Sequence, residues 1–513
     1  MCHYFLRVFI QLSFCIILVF LSSESLIAQT IEGYVFIDSN GNSKMDADEK
    51  GLNGVMISNQ KEVVLTDENG HFKIKPIEGN FIFVTKPEAY QFNLDKYNNP
   101  EFYFLYQTKQ IKEDLKYPIS EPLEIVPQVL YFPVYENPGE DQHSCLLMGD
   151  PQMRNDKNLI YYKEGIIPFL AAKNADFYVI LGDIAHNKLE ILPKEKQVSA
   201  TLGIPGYRVM GNHDMNLRAT GNNYANETFK RVYGPNYYSF EYGRFHYIIL
   251  NTVIYKGWWE EIGAPGNYYG GLTIEQTKWL ENDLKHVPSD KTIVLFSHIP
   301  LYNFYVSRPS LQRVFKSLEN HKKIFAVSGH LHNIMAYDYN EELGWQNSAE
   351  FEGLVAGAVC GSWWSGPVDE NNIPFSTCTD GSPKGFFQLY SNSGEYNYVF
   401  NPINYPFEYQ FRVNVINDEI WVNWFVGKTT DSVQVFIDSD TEALNLINFT
   451  GKDPFIISNV KNNKQMDDIS NTGHLWKAKL PADLAPGYHL IKVLARDSKG
   501  RLFNGYKVIN TDM

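Results

Sequence analysis

Five short polar motifs punctuate the middle of this 513-residue chain, and four of them directly follow an apolar run. They are Gly149-Asp150-Pro151-Gln152, Gly182-Asp183, Gly211-Asn212-His213-Asp214, Ser297-His298 and Gly329-His330-Leu331-His332. Ser144-Cys145-Leu146-Leu147-Met148, Tyr178-Val179-Ile180-Leu181, Ile293-Val294-Leu295-Phe296 and Ile324-Phe325-Ala326-Val327 lead into the first, second, fourth and fifth. Short apolar runs that stop at Gly-Asp or Gly-His read as buried parallel strands. In such sheets the polar residues just past the strand ends share one crevice. One Gly-Asp alone is an ordinary turn; five motifs in this order predict an α/β fold with a cluster of metal ligands.

The side chains narrow the chemistry. Asp150, Gln152, Asp183, Asn212, His298, His330 and His332 form a mixed oxygen and nitrogen set without cysteine, which argues against a structural zinc knot. Two divalent cations about 3.5–4 Å apart suit such a set, the device used for in-line displacement at phosphorus. A carboxylate such as Asp183 can bridge them.

The motif series resembles the calcineurin-like metallophosphoesterases, whose pattern runs Asp-x-His, Gly-Asp, Gly-Asn-His-Asp/Glu, His, Gly-His-x-His. The resemblance covers residues 143–365. It implies a four-layer αββα sandwich in which Asp150, Gln152, Asp183 and His332 hold one metal. Asp183 then bridges to a second metal held by Asn212, His298 and His330, the ions being Mn, Fe, Mg or Zn. The same resemblance implies attack on phosphorus by a metal-bridging hydroxide. His213 is its candidate acid, with Asp214 the nearest residue to orient it. Two positions depart from the pattern. Gln152 stands where many members have His, a variant that resembles one secreted bacterial branch, and His186 stands three past Asp183 where Asp is common.

Length and composition suit an enzyme with accessory modules. The expected division is an export signal at 1–28, a β-sandwich with connector at 29–135, the phosphoesterase domain at 140–400 and an immunoglobulin-like β domain at 401–513. Val8 to Leu21 supplies the apolar run of the signal and Ala28 the cleavage point, an uncleaved anchor being the alternative. Cleavage leaves no membrane span and an exported, periplasmic or extracellular protein. A net charge of −14 argues against a nucleic-acid surface but not against a phosphate ester, because bound metals supply local positive charge. The expected substrate is a small phosphate ester or a phosphorylated glycan or lipid. A monoesterase is favoured over a diesterase of the same fold, and a catalytically silent glycan-binding or scaffold protein is the competing class.

Other features carry narrower expectations. Asp38, Asn40, Asn42, Asp46 and Glu49 have the oxygen spacing of a twelve-residue calcium loop, although glycine sits at position four rather than six. A solvated acidic turn is the alternative. Residues 90–140 read in part as a connector, with Tyr103-Phe104-Leu105-Tyr106 a candidate strand and Val126 to Pro133 an extended segment bridging into the enzyme domain. Trp258, Trp259, Trp363 and Trp364 flank the metal motifs as candidates for a substrate rim, with Tyr268 and Tyr269 beside the first pair. Asp380 and Lys384 lie in a turn that could reach the same rim. Cys360 and Cys378 could pair in an oxidising compartment. His246, inside a strand, reads as structural, and Thr273-x-x-Gln276 reads as a capping box.

Overall fold

The computed structural model describes residues 30–261, 263–462 and 469–511. The expected export signal therefore lies outside the described residues. Among them, no helix is long and apolar enough to cross a membrane.

Two sheets stack at the centre. The first has five strands in the order Gly206–Arg208, Phe177–Ile180, Gln142–Met148, Gly385–Asn392, Glu395–Pro402. Its first three strands run parallel. The second has six, in the order Tyr238–Tyr242, Phe245–Leu250, Thr292–Ser297, Lys323–Ser328, Glu350–Ala356, Ile334–Asp338, with the four inner ones parallel. Buried aromatic rings join the sheets. Phe177 packs edge-on against Tyr247 at 5.4 Å, Tyr207 stacks on Phe240 at 3.9 Å, and Phe325 stacks on Tyr396 at 4.7 Å.

Parallel neighbours require crossovers, and helices supply them. Helices Asp156–Gly165 and Leu192–Ser199 serve the first sheet; Ile274–Leu284 and Arg308–Leu318 serve the second. Helix Ile274–Leu284 starts where the capping pattern places it, with the Thr273 hydroxyl accepting the Gln276 N–H. The reciprocal half of the box is absent. Gln276 instead accepts the Asn251 N–H at 2.8 Å and donates to the Asn251 carbonyl at 2.7 Å, pinning the end of strand Phe245–Leu250. His246 is fully buried with its ring against Asp283 at 2.7 Å, a structural pair.

A pair of four-stranded sheets flanks this core on the N-terminal side. Within residues 90–140 the expected strand Tyr103–Tyr106 and the extended segment through Pro133 both form, and both are built into the module's sheets. Val129–Glu136 pairs in parallel with Ile31–Ile37, Tyr90–Phe92 adds to the other edge of Val129–Glu136, and Tyr103–Tyr106 closes the second sheet. Strand Val129–Glu136 buries alternate residues, Leu130, Phe132 and Val134, but Pro133 inside it masks the pattern. This module shares one hydrophobic cluster with the central sheets. Buried polar contacts seal the joint: the Lys86 ammonium donates to Glu140 at 2.6 Å and to the Glu241 carbonyl at 2.9 Å.

On the C-terminal side two antiparallel four-stranded sheets enclose a separate core around Trp424, Trp476, Val435 and Ile491. Its ends touch the central sheets through Glu352, which accepts from Lys428 and Lys499, each at 2.8 Å.

The strand that carries the third motif has a buried ion pair in its middle. Arg208 lies 3.3 Å from Glu195 and donates to the Tyr178 hydroxyl at 2.7 Å, both charges being essentially solvent-free. Removing one partner strands the other in the core at a cost of about 3–5 kcal/mol. Glu195→Leu should lose about that much in denaturant unfolding. The double variant with Arg208→Met should regain at least half, and a double variant no more stable than the single would show that the pair is not the cause.

Candidate metal centre

All five motifs lie just past the C-terminal ends of central strands, three from the first sheet and two from the second. Their side chains meet in one cluster. Asp183, His298 and His330 place ligand atoms within 4.8 Å of one another. Asn212 Oδ1 is 3.0 Å from His298 Nε2, the Gln152 amide reaches Asp183 at 2.8 Å, and His332 Nε2 is 3.7 Å from Asp150. The seven expected ligands thus form one connected group.

The backbone there is unusual. Asp150, Gln152, Asp183, His330 and His332 all have φ between 41° and 76°, the left-handed region that side chains disfavour. Glycines make the close approaches possible. A Cβ on Gly182 would lie 2.6 Å from His298 Nδ1, and one on Gly211 would lie 2.2 Å from Asp183 Oδ1.

Two imidazoles reveal what the cluster lacks. His332 Nδ1 donates to the Gly361 carbonyl at 2.7 Å, so Nε2 is left as an acceptor. That atom is buried, has no hydrogen-bond partner and faces the Asp150 carboxylate. His298 repeats the arrangement. Its Nδ1 donates to the Leu181 carbonyl at 2.8 Å, while Nε2 faces Asp183 Oδ1 at 3.2 Å, Asn212 Oδ1 at 3.0 Å and His330 Nδ1 at 3.2 Å. Carboxylate, amide and imidazole groups converging on one centre, with each ring oriented by a carbonyl behind it, are the donor chemistry of a cation site. The residues present fit two metals, one beside Asp150, Gln152, Asp183 and His332 and one beside Asp183, Asn212, His298 and His330.

The charges agree. Burial pushes the Asp150 carboxyl well above its usual range, whereas the His298 and His213 rings overcome burial at Asp183 and hold it low. Burial favours neutral His298, but the Asp183 carboxylate lifts it to about 9. Burial and the His298 charge lower His330 to about 3, and burial lowers His332 to about 4. Neutral imidazoles are the ligating form.

Gln152 takes part differently from a simple ligand. Its Nε2 faces Asp183, and its oxygen sits 2.6 Å from His186 Nδ1. An amide rotated by half a turn would present oxygen to the first metal and N–H to His186, whose ring burial keeps neutral at a pKa of about 4. The residue three past Asp183 therefore braces Gln152.

Several expectations are corrected. Asp214 does not orient His213: its buried carboxylate accepts the backbone N–H groups of Ala185, Gly211 and Ile184, tying the second and third motif loops together. The role falls to Asn187, absent from the sequence reading, whose Oδ1 is 2.9 Å from His213 Nδ1 and whose N–H donates to the His213 carbonyl at 3.0 Å. His186 stacks on the other face of His213 at 4.3 Å. Trp364 is no rim residue; it is buried and donates to the Pro151 carbonyl at 2.8 Å. Trp363 is half-buried and stacks on His332 at 4.4 Å, and Trp258 packs under Arg218. Trp259 is exposed, but the aromatic beside the cluster is Tyr268, edge-on to His330 at 6.3 Å. Asp380 and Lys384 are both buried rather than at a rim. Cys145, Cys360 and Cys378 are free buried thiols, with Cys360 Sγ 3.9 Å from His332 Nδ1.

The remote loop also converges. Asp46 accepts from the Asn40 and Asn42 amides at 2.8 Å each, Glu49 accepts the Ser39 and Asp46 N–H groups, and Asp38 accepts those of Gly41 and Ser43.

Residues 144–333 match the calcineurin-like phosphoesterase family, residues 39–120 the N-terminal region of calcineurin-like phosphoesterases, and residues 354–503 their C-terminal region. The chain belongs to the calcineurin-like phosphoesterases. A similar sequence is a probable glycerophosphodiester phosphodiesterase of Arcobacter nitrofigilis, 26% identical over 175 residues, which take in 32% of this phosphoesterase and 60% of that protein. Among solved structures, purple acid phosphatase PPD1 from yellow lupin (Lupinus luteus) seeds aligns over 72% of this chain and 66% of its own, at 13% identity and a TM-score of 0.35. Both alignments span less than two thirds of the other protein.

The Asn187 contact yields a direct expectation. Asn187→Ala frees the His213 ring and should lower turnover of an alkyl phosphate about 10- to 100-fold while metal content stays at the wild-type level, since no candidate ligand is touched. Wild-type turnover in this variant would remove Asn187 from the machinery.

Proposed function

We propose that this phosphoesterase is a metal-dependent hydrolase of phosphate esters. The observation that carries the reading is the pair of imidazole Nε2 atoms, each ring oriented by a carbonyl behind Nδ1, that face the Asp150 and Asp183 carboxylates. Two divalent cations held there would supply Lewis acidity to the phosphoryl oxygens and lower the pKa of an attacking water. The chain's own residues do the rest. Asp183, in contact with both ligand groups, sets their separation. Asn187 and His186 hold the His213 ring in place. Its Nε2, on the side nearer Asp183, is free to meet the leaving oxygen and give it a proton. The Asp-Pro-Gln turn, fixed from behind by Trp364, excludes bulk water from the first site.

Phosphomonoesters are the first substrate class to test. A diesterase is the second reading, supported by the name of the Arcobacter nitrofigilis relative. The complete ligand set argues against a silent scaffold. Gln152 as a neutral oxygen donor favours Mn, Mg or Fe over Zn at the first site. We also propose export, on the strength of the apolar run Val8 to Leu21, and calcium binding by the Asp38–Glu49 loop, supported by the sequence spacing of its oxygen-bearing side chains.

Asp183→Ala should reduce hydrolysis of both nitrophenyl phosphate and bis-nitrophenyl phosphate by about three orders of magnitude, corresponding to several kcal/mol of lost stabilisation. The ratio of the two activities in the wild type decides between the readings, and turnover that survives the substitution with metals supplied would sink the two-metal site. For the remote loop, added calcium should raise the apparent Tm of the wild type and leave that of Asp46→Ala unmoved. Equal shifts in both would assign the loop to an ordinary solvated turn.

A further inference from the structure

The C-terminal module reaches the back of the metal centre through one buried network. His332 is anchored there by its main chain. Its carbonyl accepts the Thr379 N–H at 2.9 Å and the Thr379 hydroxyl at 3.1 Å. Two residues on, the Ile334 N–H donates to Asp380 Oδ2 at 2.7 Å. Thr379 and Asp380 thus hold the loop that presents His332 and, through Asp150, meets its partner ligand.

Neither residue is held by the central sheets alone. Asp380 Oδ2 is 3.0 Å from His474 Nε2, and His474 Nδ1 is 2.7 Å from Asn423 Oδ1. Asn423 returns its amide N–H to the Asp380 carbonyl at 3.0 Å. The Thr379 hydroxyl meets the Ser470 hydroxyl at 2.9 Å, and the Ser470 N–H donates to the Thr379 carbonyl at 3.0 Å. Asp380, Asn423 and His474 are all at least nine-tenths buried. Arg412, in the same module, donates to the Gly381 carbonyl and pairs with Asp453 at 3.5 Å. Gly381 itself has φ of 86° and leaves no room for a Cβ against Asp453.

This is more polar machinery than a passive joint requires. Burying a carboxylate, an imidazole and an amide between two modules is costly unless every partner is in register. The polar groups end on the His332 carbonyl and on the Ile334 N–H two residues on, and the Nδ1 of the His332 ring is fixed by Gly361.

From this geometry we infer that His474, with Asn423 and Ser470, is a positioning residue of the C-terminal module that sets His332 for metal binding through Asp380 and Thr379. The inference rests on the metal-centre reading above. Outer contacts of a metal ligand commonly change affinity 10- to 100-fold when removed, and a contact one residue further out belongs at the lower end of that range. His474→Ala should therefore weaken binding at the first site about tenfold and leave the second, held by Asn212, His298 and His330, unchanged.

The test is titration of metal-stripped full-length protein with Mn²⁺, resolving two affinities, alongside the thermal transition. His474→Gln, which keeps an N–H for Asp380, should recover most of the first affinity. Ser470→Ala and Thr379→Val, which delete single hydroxyls, should each weaken the same site by a few fold. Unchanged affinities in all four variants would overturn the inference, as would equal weakening of both sites in step with a fallen transition temperature. If His474→Ala does not fold, the two hydroxyl variants decide. A wild type that binds no Mn²⁺ in the stripped state would instead count against the metal centre itself.

Discussion

Everything at this site depends on the position of the Asp183 carboxylate. It lies at the strand end where the two central sheets converge, and loops from both grip it. Oδ1 accepts the His213 N–H at 2.8 Å and faces His298 from the second sheet at 3.2 Å; Oδ2 takes the Gln152 amide at 2.8 Å. The carboxylate is almost wholly buried. A buried anion is tolerated only when paired or ligating, and here the available partners are imidazoles whose own burial disfavours their charge. In this cluster the Asp183 carboxylate offsets that burial by lifting His298 to about 9, so the anion is paired with an imidazole across the two sheets.

The protein keeps that pair in place by spending backbone freedom. Five ligand residues sit in left-handed geometry, and the loops that carry them are tied by contacts that involve no ligand atoms. Asp214 is the clearest example. Its carboxyl is driven up to about 7 by burial and by Asp183, yet its three backbone donors lock the Asp183 and Asn212 loops to one another. The final residue of the Gly-Asn-His-Asp motif thus serves loop geometry, while the neutral Asn187 orients the imidazole.

What could be read from the residues, and what could not, follows from range. The apolar runs and their terminal motifs are local signals, so the central strands and the strand-end cluster where the seven expected ligands sit were legible in the chain. The partner of His213 was not. The motif pointed to Asp214, adjacent to His213 in the chain, but a left-handed turn at Asn187, φ 63°, brings that residue to the His213 ring while His186 meets Gln152. The tryptophans misled for a related reason: adjacent positive φ values at Trp363 and Trp364 send one ring onto His332 and the other under Pro151. The extended run up to Pro133 was legible, but its parallel pairing with Ile31–Ile37, distant in sequence, was not.

The flanking modules make sense in the same terms. A metal crevice at the rim of two sheets is open on the side where the strands end, and its loops have only one another to lean on. The N-terminal module braces the outer edge of the first sheet: Asn99 reaches Arg208 on the strand that leads to Asn212, and Tyr117 donates to the Asn187 carbonyl at 3.0 Å. The C-terminal module braces the opposite flank behind His332. One module touches Asn187, which holds His213, and the other touches Thr379 and Asp380, which hold the His332 loop. Modules that merely tethered the enzyme would have no reason to place buried polar groups at those two points. Placed there, they restrict the loops that bring five strained residues to one centre, which is the condition for binding two ions at a fixed separation.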